Sequence, residues 1–124
     1  MKKHSINKLL NVMIKLRDPN KGCPWDKKQT FESIIPHTIE EVYEVAEQVY
    51  KKDYNKIKDE LGDLLFQIIF LSQIAKEKKI FTFNDVVKQI TDKMIFRHPH
   101  VFQNKKFKNM KDFNNWWEES KNKK

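Results

Sequence analysis

The amino-acid sequence predicts an all-α fold, a bundle of about four to five helices. Three observations carry that reading. Apolar residues recur at three- and four-residue spacing, turn-formers are scarce at two Gly and four Pro in 124 residues, and the longest apolar run lies inside a much longer periodic segment. A chain so poor in Gly and Pro has few of the tight turns that many short strands would need.

Ile6, Leu9, Leu10, Met13 and Leu16 fall on one helical face and predict a first helix from Ser5, its N-cap, to about Leu16. The segment Arg17 to Asp26 concentrates two Pro, a Gly, and turn-forming Asp and Asn, so a loop is expected there. A second helix is expected to open near Pro36, where the missing N–H is harmless in a first turn, and to run to about Lys52. Along it Ile39, Val42, Ala46, Val49 and Tyr50 form an apolar stripe, and Glu40, Glu41, Glu44 and Glu47 an acidic one.

The third helix spans roughly Tyr54 to Lys78 and is apolar almost all round from Leu64 to Leu71, as suits the middle of a bundle. A strand competes for that run, but its periodic flanks make the element too long for one. Thr82 and Asp85 resemble a capping box opening a fourth helix through Val86, Val87, Ile90, Met94 and Ile95, ended by Pro99. After a polar stretch from Gln103 to Lys111, a short last helix near Asp112 to Lys121 carries Trp116 and Trp117. No internal repeat is present.

A single domain over residues 1–124 with basic terminal tails is expected, small enough that a second copy would help bury its core. With 39% hydrophobic and 34% charged residues the composition is globular rather than disordered. Cys23 is the only cysteine, so no internal disulfide is possible; no stretch reads as a signal peptide, and a cytoplasmic location is expected. No apolar stretch is long enough to span a bilayer. The net charge of +8 attracts anions, but its lysines crowd the ends (Lys2, Lys3, Lys121, Lys123, Lys124) while the middle is acidic. A small anionic substrate is therefore expected in preference to nucleic acid.

Glu41 and Glu44 share one face of the second helix, and Glu60 and Asp63 one face of the third. A short turn near Lys52 to Asn55 packs these helices antiparallel, which can bring both pairs into one pocket. Converging carboxylates repel unless cations neutralise them, and hard oxygen ligands suit Mg²⁺, with waters left to exchange for substrate phosphates. Lys56 lies one turn before Glu60, within reach of a carboxylate or phosphate; Lys93 and Arg97 form a cationic face on the fourth helix. Glu40 and Glu47 suit a solvated face equally well. Asp63 precedes the most apolar segment and needs a partner, and Gly62 between Glu60 and Asp63 implies close approach of a backbone or ligand.

Gly22-Cys23-Pro24-Trp25-Asp26, Thr38-Ile39-Glu40-Glu41-Val42-Tyr43-Glu44, Asp59-Glu60-Leu61-Gly62-Asp63-Leu64-Leu65-Phe66-Gln67 and Arg97-His98-Pro99-His100-Val101-Phe102 occur in that order. The set resembles the MazG nucleotide pyrophosphohydrolases over roughly residues 6–102, and Trp117-Glu118 to Lys121 is similar to the family's Trp-Glu-x-x-Lys ending. The resemblance implies a helical bundle completed by dimerisation, with a homodimer or higher homo-oligomer. It also implies Mg²⁺-dependent hydrolysis of a nucleoside triphosphate to monophosphate and pyrophosphate, with Mn²⁺ as a substitute. Glu41, Glu44, Glu60 and Asp63 take the places of the family's metal ligands, and Lys56, Lys93 and Arg97 those of its basic substrate-binding residues. Familiar members carry two such domains in tandem; this chain has one, most like the first.

Glu40 and Glu44 are the candidates for handling the attacking water. Trp25 is placed with the substrate-binding residues through stacking on a base, with packing as its alternative. Packing is also expected of Trp116 and Trp117, an inert thiol of Cys23 and a structural role of His98 and His100. A nucleotide- or RNA-binding module of weak catalysis is the competing function. A di-iron bundle is disfavoured because no Glu is followed three residues later by His.

Overall fold

The computed structural model describes residues 4–122. The lysines at positions 2, 3, 123 and 124 lie outside the described residues. Seven helices and no strand occur among the described residues: α1 (Ile6–Leu16), α2 (Pro24–Lys27), α3 (Phe31–Lys51), α4 (Tyr54–Glu77), α5 (Phe83–Arg97), α6 (Pro99–Phe102) and α7 (Met110–Lys121). Two of the seven, α2 and α6, are single turns opened by a proline at the first position.

Helix α1 begins as expected, with Ser5 accepting from the Lys8 amide. The expected loop after it contains the short α2. Helix α3 starts five residues earlier than the proline implied, because Thr30 and Ser33 form a reciprocal capping box of 2.7 and 3.2 Å. Pro36 sits inside α3, where its absent N–H costs only the bond to the Glu32 carbonyl on an exposed turn. Lys52, in the left-handed conformation at φ 57°, ends α3, and Asp53 caps α4 by accepting from the Lys56 amide. This two-residue reversal lays α3 and α4 side by side as the antiparallel pair the sequence implied.

The chain falls into two compact units, dividing after Phe83. In the first, Met13 from α1, Ile34 from α3, and Ile69, Phe70 and Ile74 from α4 form the sealed core, flanked by residues such as Leu9, Phe31, Phe66 and Phe83. Helix α4 thus supplies three of the five, two of them from its apolar run, although Ile68 in that run remains 40% exposed. The second unit packs His98, His100, Phe107, Phe113 and Trp117 ring against ring at centroid distances of 4.8 to 6.4 Å. His98 Nδ1–H donates to the Met94 carbonyl at 2.6 Å, and Ser120 is fully buried with its hydroxyl on the Trp117 carbonyl. His98, His100 and Trp117 thus pack against neighbouring rings, in line with the structural and packing roles expected of them.

The apolar stripe of α3 departs from expectation. Ile39, Val42, Val49 and Tyr50 are each about half exposed or more, because α4 covers one side of α3 and this stripe lies elsewhere on its surface.

Candidate active site

Helical spacing sets the site. Glu41 projects from the middle of α3, and Glu60 and Asp63, three residues apart, project from one face of α4 toward it. One carboxylate oxygen from each of Glu41, Glu60 and Asp63 lies within 4.8 Å of the other two. Glu41 and Glu60 are half-buried and Asp63 is exposed, so the group opens to solvent on the Asp63 side.

Glu41 bears most of the strain. Its Oε2 is shut off from solvent with no hydrogen-bond partner. Burial first, then the Asp63 charge, the adjoining Glu60 carboxyl and the charge of Glu40 together push its carboxyl up to about 7. A buried carboxylate oxygen without a donor is a cost the fold bears unless a cation or proton satisfies it.

That cost gives a pH-dependent prediction for the cation-free protein. The folded-state value lies above the ordinary 4.5, so the proton held by Glu41 stabilises the fold below pH 4.5, and this contribution is lost as pH rises toward and through 7. Glu41→Gln removes the titration. In chelator, the variant is expected to match the native melting temperature near pH 5 and to exceed it at pH 8, where its gain in stability is about 1–2 kcal/mol once screening at a solvent-open cluster is allowed for.

The other expected residues fall as follows. Glu44, one turn along α3, stands outside the 4.8 Å group, and its charge acts on Lys51. Glu40 is exposed beside Glu41 and contributes to its raised value. Glu47 is bonded to Lys51 at 2.8 Å on the solvated face. Lys56 is exposed on α4, one turn before Glu60. Lys93 and Arg97 belong to the second unit, where the Arg97 guanidinium lies 5.5 Å from the Trp117 ring centroid and its Nε is buried without a hydrogen-bond partner. Cys23 is half-buried.

For Gly62 the chain itself makes no close approach, and a ligand is the remaining half of the expectation. A Cβ built there meets nothing within 4 Å, so within the chain no backbone approaches it. Gly62→Ala is therefore expected to stabilise α4 by about 0.5–1 kcal/mol in a thermal or urea melt, through the better helix propensity of Ala. The tight glycine is Gly22: a Cβ there would meet the Leu16 carbonyl at 2.4 Å and the Asp18 carbonyl at 2.5 Å.

Around Gly22 the segment from Arg17 to Thr30 is bonded closely to the first unit. Arg17 donates to the Asp26 and Gln29 carbonyls at 2.7 and 2.9 Å and pairs with Glu77 at 2.5 and 3.0 Å. Its guanidinium also lies 5.5 Å from the centroid of the Phe70 ring. This segment presents Trp25, 52% exposed, with its ring 5.6 Å from that of His37 at an interplanar angle of 73°. His37 carries no signal of this role in the sequence, since only tertiary structure sets it against Trp25.

Residues 29–102 match the model of the MazG nucleotide pyrophosphohydrolase domain. The chain belongs to the MazG family. It is 47% identical over 118 residues to the nucleoside triphosphate pyrophosphohydrolase of Escherichia coli strain K12, covering 95% of this chain and 45% of that protein. It is 50% identical over 94 residues to the Thermotoga maritima protein called nucleoside triphosphate pyrophosphohydrolase/pyrophosphatase MazG, covering 76% of this chain and 36% of the other. The chain thus spans less than half the length of these curated MazG relatives. In three dimensions it is similar to the crystal structure of a MazG-related protein from Thermotoga maritima, with a TM-score of 0.76, 26% identity, and coverage of 94% of this chain and 98% of that one. The all-helical MazG fold expected from the motifs is therefore the fold observed, and the matched span contains Glu41, Glu60 and Asp63.

Proposed function

We propose that this MazG chain hydrolyses nucleoside triphosphates to monophosphate and pyrophosphate, at a divalent-cation centre held by Glu41, Glu60 and Asp63. The observation that carries the reading is the convergence of three carboxylate oxygens within 4.8 Å, one of them from a glutamate with a buried, unpartnered oxygen. Two oxygens bound to the same Mg²⁺ at 2.0–2.1 Å can be at most about 4.2 Å apart, so small rotamer changes bring this group to ligating distance. Hard, anionic donors with an open side fit Mg²⁺, or Mn²⁺ in its place. Glu44, outside this group and one turn along α3, would join as the fourth ligand of the proposal by turning its side chain inward. The names of the curated relatives support the activity.

Bound Mg²⁺ would supply charge neutralisation along the triphosphate and polarisation at its α-phosphorus. The residues supply position and proton handling. Glu40 or Glu44 accepts a proton from water as its oxygen bonds to the α-phosphorus; the bond from that phosphorus to the α–β bridging oxygen breaks, and pyrophosphate leaves with the electron pair. Lys56 offsets charge on the phosphates, and Trp25 offers a stacking face for the base. Lys93 and Arg97 are retained as proposed phosphate contacts on the strength of the sequence pattern alone. The exposed apolar stripe of α3 supports association with a second copy, whose burial of Ile39 and Val42 would complete the bundle.

The test is product identity by ³¹P NMR after incubating the protein with ribo- and deoxynucleoside triphosphates and Mg²⁺. Monophosphate and pyrophosphate are expected in equal amounts. Release of diphosphate and orthophosphate, or no turnover of any nucleotide by folded protein, contradicts the proposal.

One observation favours a second reading, a nucleotide- or RNA-binding module with little catalysis. In the second unit Lys105 Nζ lies 4.0 Å from the Trp116 ring centroid and 5.4 Å from that of Phe107, a cationic and aromatic combination suited to bases and phosphates. Steeply salt-dependent binding of single-stranded RNA, unaffected by Glu60→Ala, would establish it.

A further inference from the structure

We propose that His37 is a positioning residue for nucleobase binding: it fixes the indole of Trp25 so that its open face receives the base of a nucleotide whose phosphates engage the carboxylate cluster. The inference rests on reading that cluster as a nucleotide site.

Trp25 is an exposed aromatic on a rigid mount. Its carbonyl accepts from the Gln29 side chain at 3.0 Å, Gln29 in turn accepts from the Ser33 hydroxyl at 2.7 Å, and Ser33 belongs to the capping box that starts α3. Arg17 holds the carbonyls of Asp26 and Gln29 on either side. The backbone carrying the indole is thus tied to both α3 and the end of α1, while Trp25 as a residue remains 52% exposed. Burial does not explain so much anchoring of an exposed ring; preorganisation of a binding surface does.

The backbone ties leave the indole free to rotate about its own side-chain bonds. The ring contact that limits this rotation is the edge-to-face pair with His37, at 5.6 Å and 73°. His37 stands on α3 three and four residues before Glu40 and Glu41, hence on their face of the helix and about 6 Å along the axis from Glu41. A ribose spans a gap of that order between a base and its α-phosphate. His37 and Glu41 are therefore spaced on α3 as the base and phosphate ends of one nucleotide require, with Trp25 one ring contact from His37. Because every base offers a π-face, an indole platform tolerates all of them, and the class of ligand is a nucleoside triphosphate of any base.

The experiment is calorimetric titration of the full chain with Mg²⁺ and a nucleoside triphosphate whose α–β bridge is methylene, a readout independent of turnover. Trp25→Ala is expected to weaken binding about 5- to 100-fold, and His37→Ala about two- to tenfold. His37→Phe, which keeps an aromatic edge, should restore affinity, and His37→Ala added to Trp25→Ala should have no further effect. Any turnover present should show these losses in KM and not in kcat. Unchanged affinity in Trp25→Ala, or equal losses from His37→Ala with and without Trp25, overturns the inference. Hydrolysis by native protein with unaffected Trp25 and His37 variants would sink this inference alone. Nucleotide binding that follows the expected pattern without hydrolysis would sink the proposed activity and leave this inference standing.

Discussion

Asp63→Asn and Glu60→Gln are each expected to reduce pyrophosphate release from a nucleoside triphosphate by at least about a hundredfold, since even the outer partners of metal ligands are worth about 10–100-fold. Both substitutions keep the shape of the side chain and remove one anionic donor from a group of three. The effect should fall on kcat, because the lost ligand acts where charge develops on the phosphorus. Both variants should also melt at or above the native temperature in chelator. Each removes a negative charge that pushes up the Glu41 carboxyl, so relief of repulsion replaces the usual cost of a substitution. Loss of activity with gain of apo stability is a signature that a merely structural carboxylate would not give. An active Asp63→Asn variant, followed by steady-state pyrophosphate release, would remove Asp63 from the site.

The second large effect concerns Arg17, whose side chain is only 8% exposed. Arg17→Ala removes at once the guanidinium donors to the Asp26 and Gln29 carbonyls and to the Glu77 carboxylate, which keeps only its bond from Gln73. Removing one member of such a group costs about 2–4 kcal/mol when its partners stay partly buried. A fall in melting temperature of about 10 °C or more is expected. Arg17→Lys should recover only part of it, since an ammonium cannot fork between Glu77 and two carbonyls. Burial pushes the Glu77 carboxyl up, but the hydrogen bonds and charge of Arg17, with Gln73, outweigh it and hold the group below its ordinary value. The stabilisation from this pair is therefore present above the ordinary carboxylate range and lost as pH falls through the folded-state value. Equal melting temperatures for native and Arg17→Ala proteins at neutral pH would show that the segment after α1 is held by other contacts.

How much of this was legible in the sequence depends on the range of the interaction. The acidic pairs on α3 and α4 could be read because i, i+3 spacing fixes a helix face, and a short reversal at Lys52 and Asp53 fixes which faces meet. The ends of α1 and α4 could be read because Ser5 and the turn after Lys51 are local signals. The start of α3 was misplaced because Pro36 outweighed Thr30 and Ser33, a capping box whose third-position residue is Ser instead of the usual Glu or Gln.

Contacts between distant parts of the chain left no such trace. Arg17 and Glu77 lie 60 residues apart, and neither has a neighbour in sequence that points to the other. Trp25 and His37 are closer in sequence, but an irregular segment and a helix start separate them, so no periodicity relates them. The open surroundings of Gly62 and the exposed stripe of α3 were hidden for another reason. Helical pattern tells which residues share a face, while what covers that face depends on the rest of the fold or on a second molecule.

The most direct test of the account is binding of Mn²⁺, used in place of Mg²⁺ and followed by the electron paramagnetic resonance of the free ion, in native protein and in a Glu41→Gln/Glu60→Gln/Asp63→Asn variant shown to be folded. The carboxylate centre predicts that native protein depletes the free-ion signal, more strongly as pH rises through 7 and Glu41 gives up its proton, and that the variant does not. Mn²⁺ binding that is undiminished in the variant, or absent from the native protein across that range, would contradict it.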